Sequence, residues 1–192
     1  MIKVQVINKE GTIIAEAAGT REVNLPVSRT YEEGDRVVFL VDETPAFYVF
    51  QADDALGEAL VYVTGEVSYE IPFGEKKVCY SPKIFSGESH LITARKAREW
   101  EYESYRNLAV NVMDQHGDTN CYPHATANVE TRGESVFAAR NAIDGVTSNH
   151  SHGYWPYGSW GINRNPQATM RVDFGREVTT DRIEIYTRAD FP

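Results

Sequence analysis

The chain has 192 residues, is 42% hydrophobic and 11% aromatic, and carries a formal charge of −9. That much apolar side chain can bury a core, which excludes a chain dominated by disorder. The acidic balance, with no basic run, excludes a general nucleic-acid surface. The longest apolar runs, such as "RVVFLV" and "ALVYVT", are strand-sized and too short to cross a bilayer.

The amino terminus, "MIKVQVINKEG", reads as a strand and a turn and lacks the apolar core and cleavage site of a secretory signal. The expectation is a cytoplasmic protein, or an extracellular one if a leader has been removed. Up to about residue 92 the pattern is one of short strands: "KVQVI", "EVNLPV", "RVVFLV", "AFYVFQ", "ALVYVTG", "VSYEIPF" and "KVCYS". Each is rich in Val, Tyr, Phe or Ile and is bounded by Gly, Pro, Asp or Glu, the regular spacing of a β-sandwich or jelly roll. Turns fall at "EEGDR", "DETPA" and "IPFGEK". The acidic pairs Glu32-Glu33 and Asp53-Asp54 read as solvated surface.

From Thr93 the stretch "TARKAREWEYESYRNLA" predicts a helix over about 94–105, with Trp100 as a packing anchor. Beyond it "VFAARNAIDG", "QATMRVDFG" and "DRIEIYTRAD" read as strands and turns. Ala168, Met170 and Val172 share one face, and Ile183 and Ile185 point inward. The fold class expected is all-β: a sandwich over 1–92, a helical linker over 93–105 and a second sandwich over 106–192. Cys79 and Cys121 fall in different units and are expected to be free thiols. All six lysines lie before residue 106, so every cation of the second unit is an arginine, a side chain suited to polar-ligand recognition.

In that second unit, "RNLAVN" at 106–111, "FAARNAIDG" at 137–145, a tryptophan loop ending in "SWGIN" and "MRVDFGREVTTDRIEIYTRAD" at 170–190 follow one another. This succession resembles the discoidin, or coagulation-factor type C, domain. The resemblance implies a galactose-binding-like β-sandwich that binds glycans, lipid head groups or proteins without catalysis, through loops at one end. It also implies further strands after "RADFP", supplied by more chain, by the first unit or by a partner, a second copy included. A calcium sometimes found in this family near the Asp-Gly turn would suit the oxygens of Asn141, Asp144, Thr147 and Ser148. In the same family one tryptophan of the loop packs into the sandwich, here Trp160, and the arginine of the "I-x-I-Y-x-R" strand is Arg188, with Asp190 as an available ion-pair partner.

The chemistry concentrates in "SNHSHGYWPYGSWGINR", residues 148–164. Sugars present apolar C–H faces that stack on rings and hydroxyls that need fixed polar partners. Tyr154, Trp155, Tyr157 and Trp160, with His150, His152, Asn163, Arg164 and Arg188, supply both. The histidines also allow a transition-metal reading, because His150 and His152 share a face if extended. His116, His124, Cys121, Asp118 and Asp144 are available to complete a shell. A Cys121–His124 nucleophile is a further option. No local pattern marks paired carboxylates for glycoside cleavage. The expectation is a carbohydrate-binding protein that needs no chemistry of its own. The alternatives are a metal-dependent carbohydrate-active enzyme using the histidines and an assembly module with the loop buried.

Overall fold

The computed structural model describes residues 1–188 as strands in antiparallel sheets with very little helix. One sheet holds β1 (Ile2–Ile7), β2 (Ile13–Gly19), β4 (Arg36–Val41) and β7 (Val67–Glu70), in the order β2-β1-β4-β7. A second holds β3 (Glu22–Val27), β5 (Ala46–Gln51), β6 (Ala59–Val63), β8 (His90–Lys96) and β9 (Cys121–Tyr122), in the order β3-β8-β5-β6-β9. A small ribbon pairs β10 (His124–Ala127) with β11 (Met170–Asp173).

The two large sheets share one core because their strands alternate. Val23, Leu25 and Val27 of β3 are buried while the residues between them are exposed, and Ile2, Val4 and Val6 line the facing sheet. Period-2 side-chain geometry allows nothing else once one face is covered. Phe39 of β4 stacks on Phe50 of β5 with ring centroids 4.4 Å apart, bridging the sheets, and both rings are fully buried. Burial of each such ring stabilises by roughly 1.5–3 kcal/mol. Gly19, at the end of β2, is required by its surroundings, since a Cβ there would lie 2.0 Å from the Glu22 carbonyl oxygen.

The region after residue 106 is stitched onto this sandwich. Strand β9 extends the second sheet beside β6, pairing Val63 with Cys121 and Tyr62 with Tyr122. The Gln115 side chain exchanges two hydrogen bonds with the Glu70 backbone, and Ser135 is held by Glu75 through its N–H and its hydroxyl. Met113, Cys121, Val136 and Tyr157 belong to the main core. A separate small cluster, Ala125, Ala139 and Ile143 with Trp160, Met170 and Val172, lies under the β10–β11 ribbon.

Several expectations need correction. Strand β8 runs through the start of the expected helix, and α1 is confined to Glu99–Glu103, where Glu101 chelates Arg95 with two 2.7 Å hydrogen bonds. Trp100 is no anchor: a helix of five residues has no face long enough to dock it, and it is 65% exposed. "KVCYS" is a turn following a 3-10 segment, Gly74–Lys77, that buries Cys79 and Tyr80. "VFAARNAIDG" forms two 3-10 turns, Ser135–Phe137 and Ala139–Ala142. Residues 106–111 and 181–188 form no strand with any other described segment. Ile183 and Ile185, expected inward, are 81% and 82% exposed. Strand β2 was not anticipated. The cysteines are free, as expected, and both are buried; no described helix is long and apolar enough to cross a membrane.

Candidate functional site

The 148–164 segment is a tight hairpin set on a fixed base. Its tip closes with a bridge between Ser151 and Tyr154, the His150 N–H donates to the Pro156 carbonyl at 2.8 Å, and Tyr154 N–H donates to Ser151. Tyr154 and Trp155 stand out 66% and 41% exposed, and the exposed His150 ring lies edge-on to Tyr154 at 6.0 Å. Behind the tip the chain turns inward. Tyr157, a candidate stacking face, is buried in the main core, and the exposed His152 ring meets its edge at 6.0 Å. Trp160 packs on the small cluster and donates its indole N–H to the Val129 carbonyl at 2.9 Å. Arg188 donates to the Tyr157 carbonyl at 2.8 Å, so it braces the hairpin base; Asp190 lies outside the described residues. Asn163 and Arg164 are both exposed and both left-handed, with φ of 48° and 57°, a backbone state uncommon for arginine.

A groove of about 350 Å³ opens beside β10, lined by His116, His124, Thr126, Asn128, Glu130 and Gly133 among others. Its outer wall, the 128–133 loop, is tied to the hairpin base: Thr131 N–H donates to the Gly161 carbonyl and Asn163 N–H donates to Thr131 Oγ1. Each groove histidine is held by a carboxylate. His124 Nδ1 lies 2.6 Å from Asp114 Oδ1, and Asp114 also accepts the Ala125 N–H. His116 Nε2 lies 2.7 Å from Glu130, which also accepts the Ala139 N–H. The Asp114 hydrogen bond raises the His124 pKa above its ordinary 6.5, outweighing the opposing effect of burial. Asp114 thus fixes the ring and leaves Nε2 as its polar atom for the groove. Thr126 contributes a hydroxyl to the groove lining.

Family models, curated proteins and solved structures give no match to this chain. The arrangement of its own residues therefore carries the reading.

Among the described residues, His116, His124, His150 and His152 do not gather with Cys121, Asp118 or Asp144 into a metal-binding group. Among the described residues the grouping with that capacity is Asp53, Asp54 and His90. Cys121 is no partner for His124 in catalysis, because burial pushes its thiol up to about 12 and keeps it protonated. The calcium set is not assembled as a cation cage either. Asn141 Oδ1 accepts from Arg140 at 3.0 Å, Asp144 lies 3.9 Å from the same guanidinium and caps the turn through Val146 N–H, and Thr147 and Ser148 are exposed. The positive charge that serves these oxygens is Arg140.

Arg140 is one of the residues that pattern reading missed. It is buried, donates to the Asp114 and Val112 carbonyls, and lies 4.3 Å above the Tyr80 ring, locking the groove wall to the main sandwich. Asp114 and Glu130 were missed as well. They lie ten and fourteen residues from their partners in sequence, and both sit on irregular backbone, where no periodic signal exists. Asp53 was assigned to solvated surface and is buried against His90.

Proposed function

We propose that this chain is a non-catalytic binding protein for a carbohydrate or similar polyol, which it meets through the 148–164 hairpin. The observation that carries this reading is the exposure of three rings, His150, Tyr154 and Trp155, on a hairpin whose base is held by backbone hydrogen bonds and by Arg188. Exposed aromatics normally cost solvation and conformational freedom. On a braced turn they present a stacking platform whose ordering is already complete before a ligand arrives. Asn163, Arg164 and the groove residues Asn128, His124 and His116 add donors and acceptors nearby in the same stitched loops. The discoidin-like succession of motifs over 106–192 supports the same reading. In it this region is the galactose-binding-like unit, joined to a jelly-roll-like sandwich whose strands β1 to β8 precede it and to which it adds β9.

The test is a broad glycan array followed by fluorescence titration of the full chain. Binding should be weak, with a Kd of about 1 mM or tighter for a single site, equivalent to roughly −4 kcal/mol. Trp155→Ala should abolish both the array signal and the fluorescence response, with Trp100→Phe leaving both intact. Trp155→Ala binding as the native chain does would refute the reading.

A second reading is favoured by one observation. Ile183 and Ile185 form an exposed apolar alternation, with Tyr186 exposed beside them, on a segment that pairs with no other described strand, the kind of segment that joins another sheet. An assembly role would appear as concentration-dependent sedimentation that Ile183→Lys with Ile185→Lys removes.

A further inference from the structure

At the end of the sandwich where β3 and β5 finish and β8 begins, three loops meet around a buried histidine. Asp53 and Asp54 follow β5, His90 opens β8, and Tyr31 follows β3. One ligand atom from each of Asp53, Asp54 and His90 lies within 4.8 Å of the others. The His90 and Asp53 side chains are each 2% exposed, and Asp54 faces solvent.

We infer that Asp53, Asp54 and His90 form a binding site for a divalent first-row cation of the zinc or manganese type, with Tyr31 as a fourth oxygen donor. The argument starts from the His90 ring, which faces oxygen on both sides: Nδ1 is 3.0 Å from Asp53 Oδ2, and Nε2 is 3.3 Å from the Gly87 carbonyl. A neutral imidazole has a single N–H. If it donates to Gly87, as a ligating histidine commonly donates its second nitrogen to a carbonyl, Nδ1 and the Asp53 carboxylate confront each other as two acceptors. A cation between them resolves that confrontation.

The second observation is independent of the cluster. Tyr31 is 3% exposed and its hydroxyl has no hydrogen-bond partner among the described residues, a state that ordinarily costs about 1–3 kcal/mol. Its ring lies 4.4 Å from the His90 ring, and among the charges acting on the hydroxyl that of Asp53 is the strongest. A buried phenol oxygen without a described partner, on a ring packed against the His90 imidazole, is a further donor beside the cluster. The nearby cations make their hydrogen bonds elsewhere: Arg29 donates to Asp35 and Lys77 to Ser86. Two carboxylates and one imidazole form a mixed oxygen and nitrogen set, which suits zinc or manganese better than a soft metal. The exposed Asp54 carboxylate gives the ion a way in and holds the β8 backbone through the Leu91 N–H at 3.2 Å.

The experiment uses the full chain, stripped with a chelator, and titrates Mn²⁺ by paramagnetic resonance and Zn²⁺ against a chromophoric chelator. One equivalent should bind, and the melting temperature should rise by several degrees at about a hundredfold excess over Kd. Asp54 is exposed, so Asp54→Asn should fold normally and weaken binding by at least about tenfold. The double variant His150→Ala with His152→Ala should bind as the native chain does. The imidazole ¹⁵N resonances of His90 should show the metal on Nδ1 and the ring proton on Nε2. The inference is overturned if neither cation binds saturably below about 1 mM, if Asp54→Asn binds like the native chain, or if both His90 nitrogens stay protonated with metal present. Glycan binding at the hairpin is read separately and does not depend on the result.

Discussion

Replacing Asp114 by alanine tests the groove most directly. Its carboxylate is 1% exposed and accepts two hydrogen bonds, from His124 Nδ1 at 2.6 Å and from the Ala125 N–H at 2.9 Å. Deletion orphans both donors, at about 1–3 kcal/mol each, and leaves His124 without the charge that holds it. The sum, roughly 2–6 kcal/mol, brackets the usual cost of breaking one side of a buried pair, about 3–5 kcal/mol. In a chain of this length that lowers the melting temperature by about 6–20 °C. The loss also has a sign in pH. The folded pKa of His124 is raised above 6.5, so the pair's contribution is complete below about pH 6.5 and declines as pH rises through the higher folded value. Urea unfolding of both proteins at pH 6 and pH 9 should therefore show the larger difference at pH 6. A residual difference should persist at pH 9, because the Ala125 N–H is orphaned at every pH. A difference below about 1 kcal/mol, or one that grows toward pH 9, would refute the reasoning.

Gly161→Ala places a Cβ 2.5 Å from Thr131 Oγ1 and 3.0 Å from Phe137 Cβ. It should destabilise by about 1–3 kcal/mol and loosen the hairpin base, seen as a lower melting temperature together with a shifted Trp155 emission. Burial raises the pKa of both cysteines, that of Cys121 to about 12, so neither should react with a thiol reagent at pH 8 until the chain unfolds; prompt labelling of the folded protein would contradict the core described above. Glu101 is lowered to about 2, chiefly by its hydrogen bonds with Arg95. Glu101→Gln should be less stable than the native chain above about pH 4.5, and that deficit should vanish as pH falls toward 2.

The sandwich was legible wherever burial writes a period of two. β1 and β3 through β7 alternate or run apolar between turn residues, and Met170 and Val172 of β11 do the same on a weaker scale. β2, "IIAEAAG", was silent because alanine and glutamate carry no β preference. β8 was read partly as helix because its final residues, Thr93 to Lys96, blend into the charged stretch that follows. "DRIEIYTR" shows the opposite failure: it has the strand pattern, but a pattern forms a strand only where a neighbour completes the ladder. In the candidate site the exposed rings of His150, Tyr154 and Trp155 fall within the stretch that the sequence marked. The inward turn of Tyr157, the carboxylate partners of His116 and His124, and the pairing of Asp53 with His90 across 37 positions depend on chain crossings that no local pattern records.

The placement of β9 also says something about how the chain acquires its structure. β3 must find β8 some seventy positions downstream, with Glu22 opposite Arg95, and β6 gains its outer neighbour only when Cys121 arrives opposite Val63. Closing such distant loops costs entropy before any contact returns it, so folding should fall in the slow, millisecond-to-second range of topologies dominated by non-local pairing. Until Cys121 and Tyr122 arrive, the outer edge of β6 stays open to solvent and to other chains. During synthesis, the interval between the emergence of Val63 and that of Tyr122 is when self-association competes most directly with the native pairing.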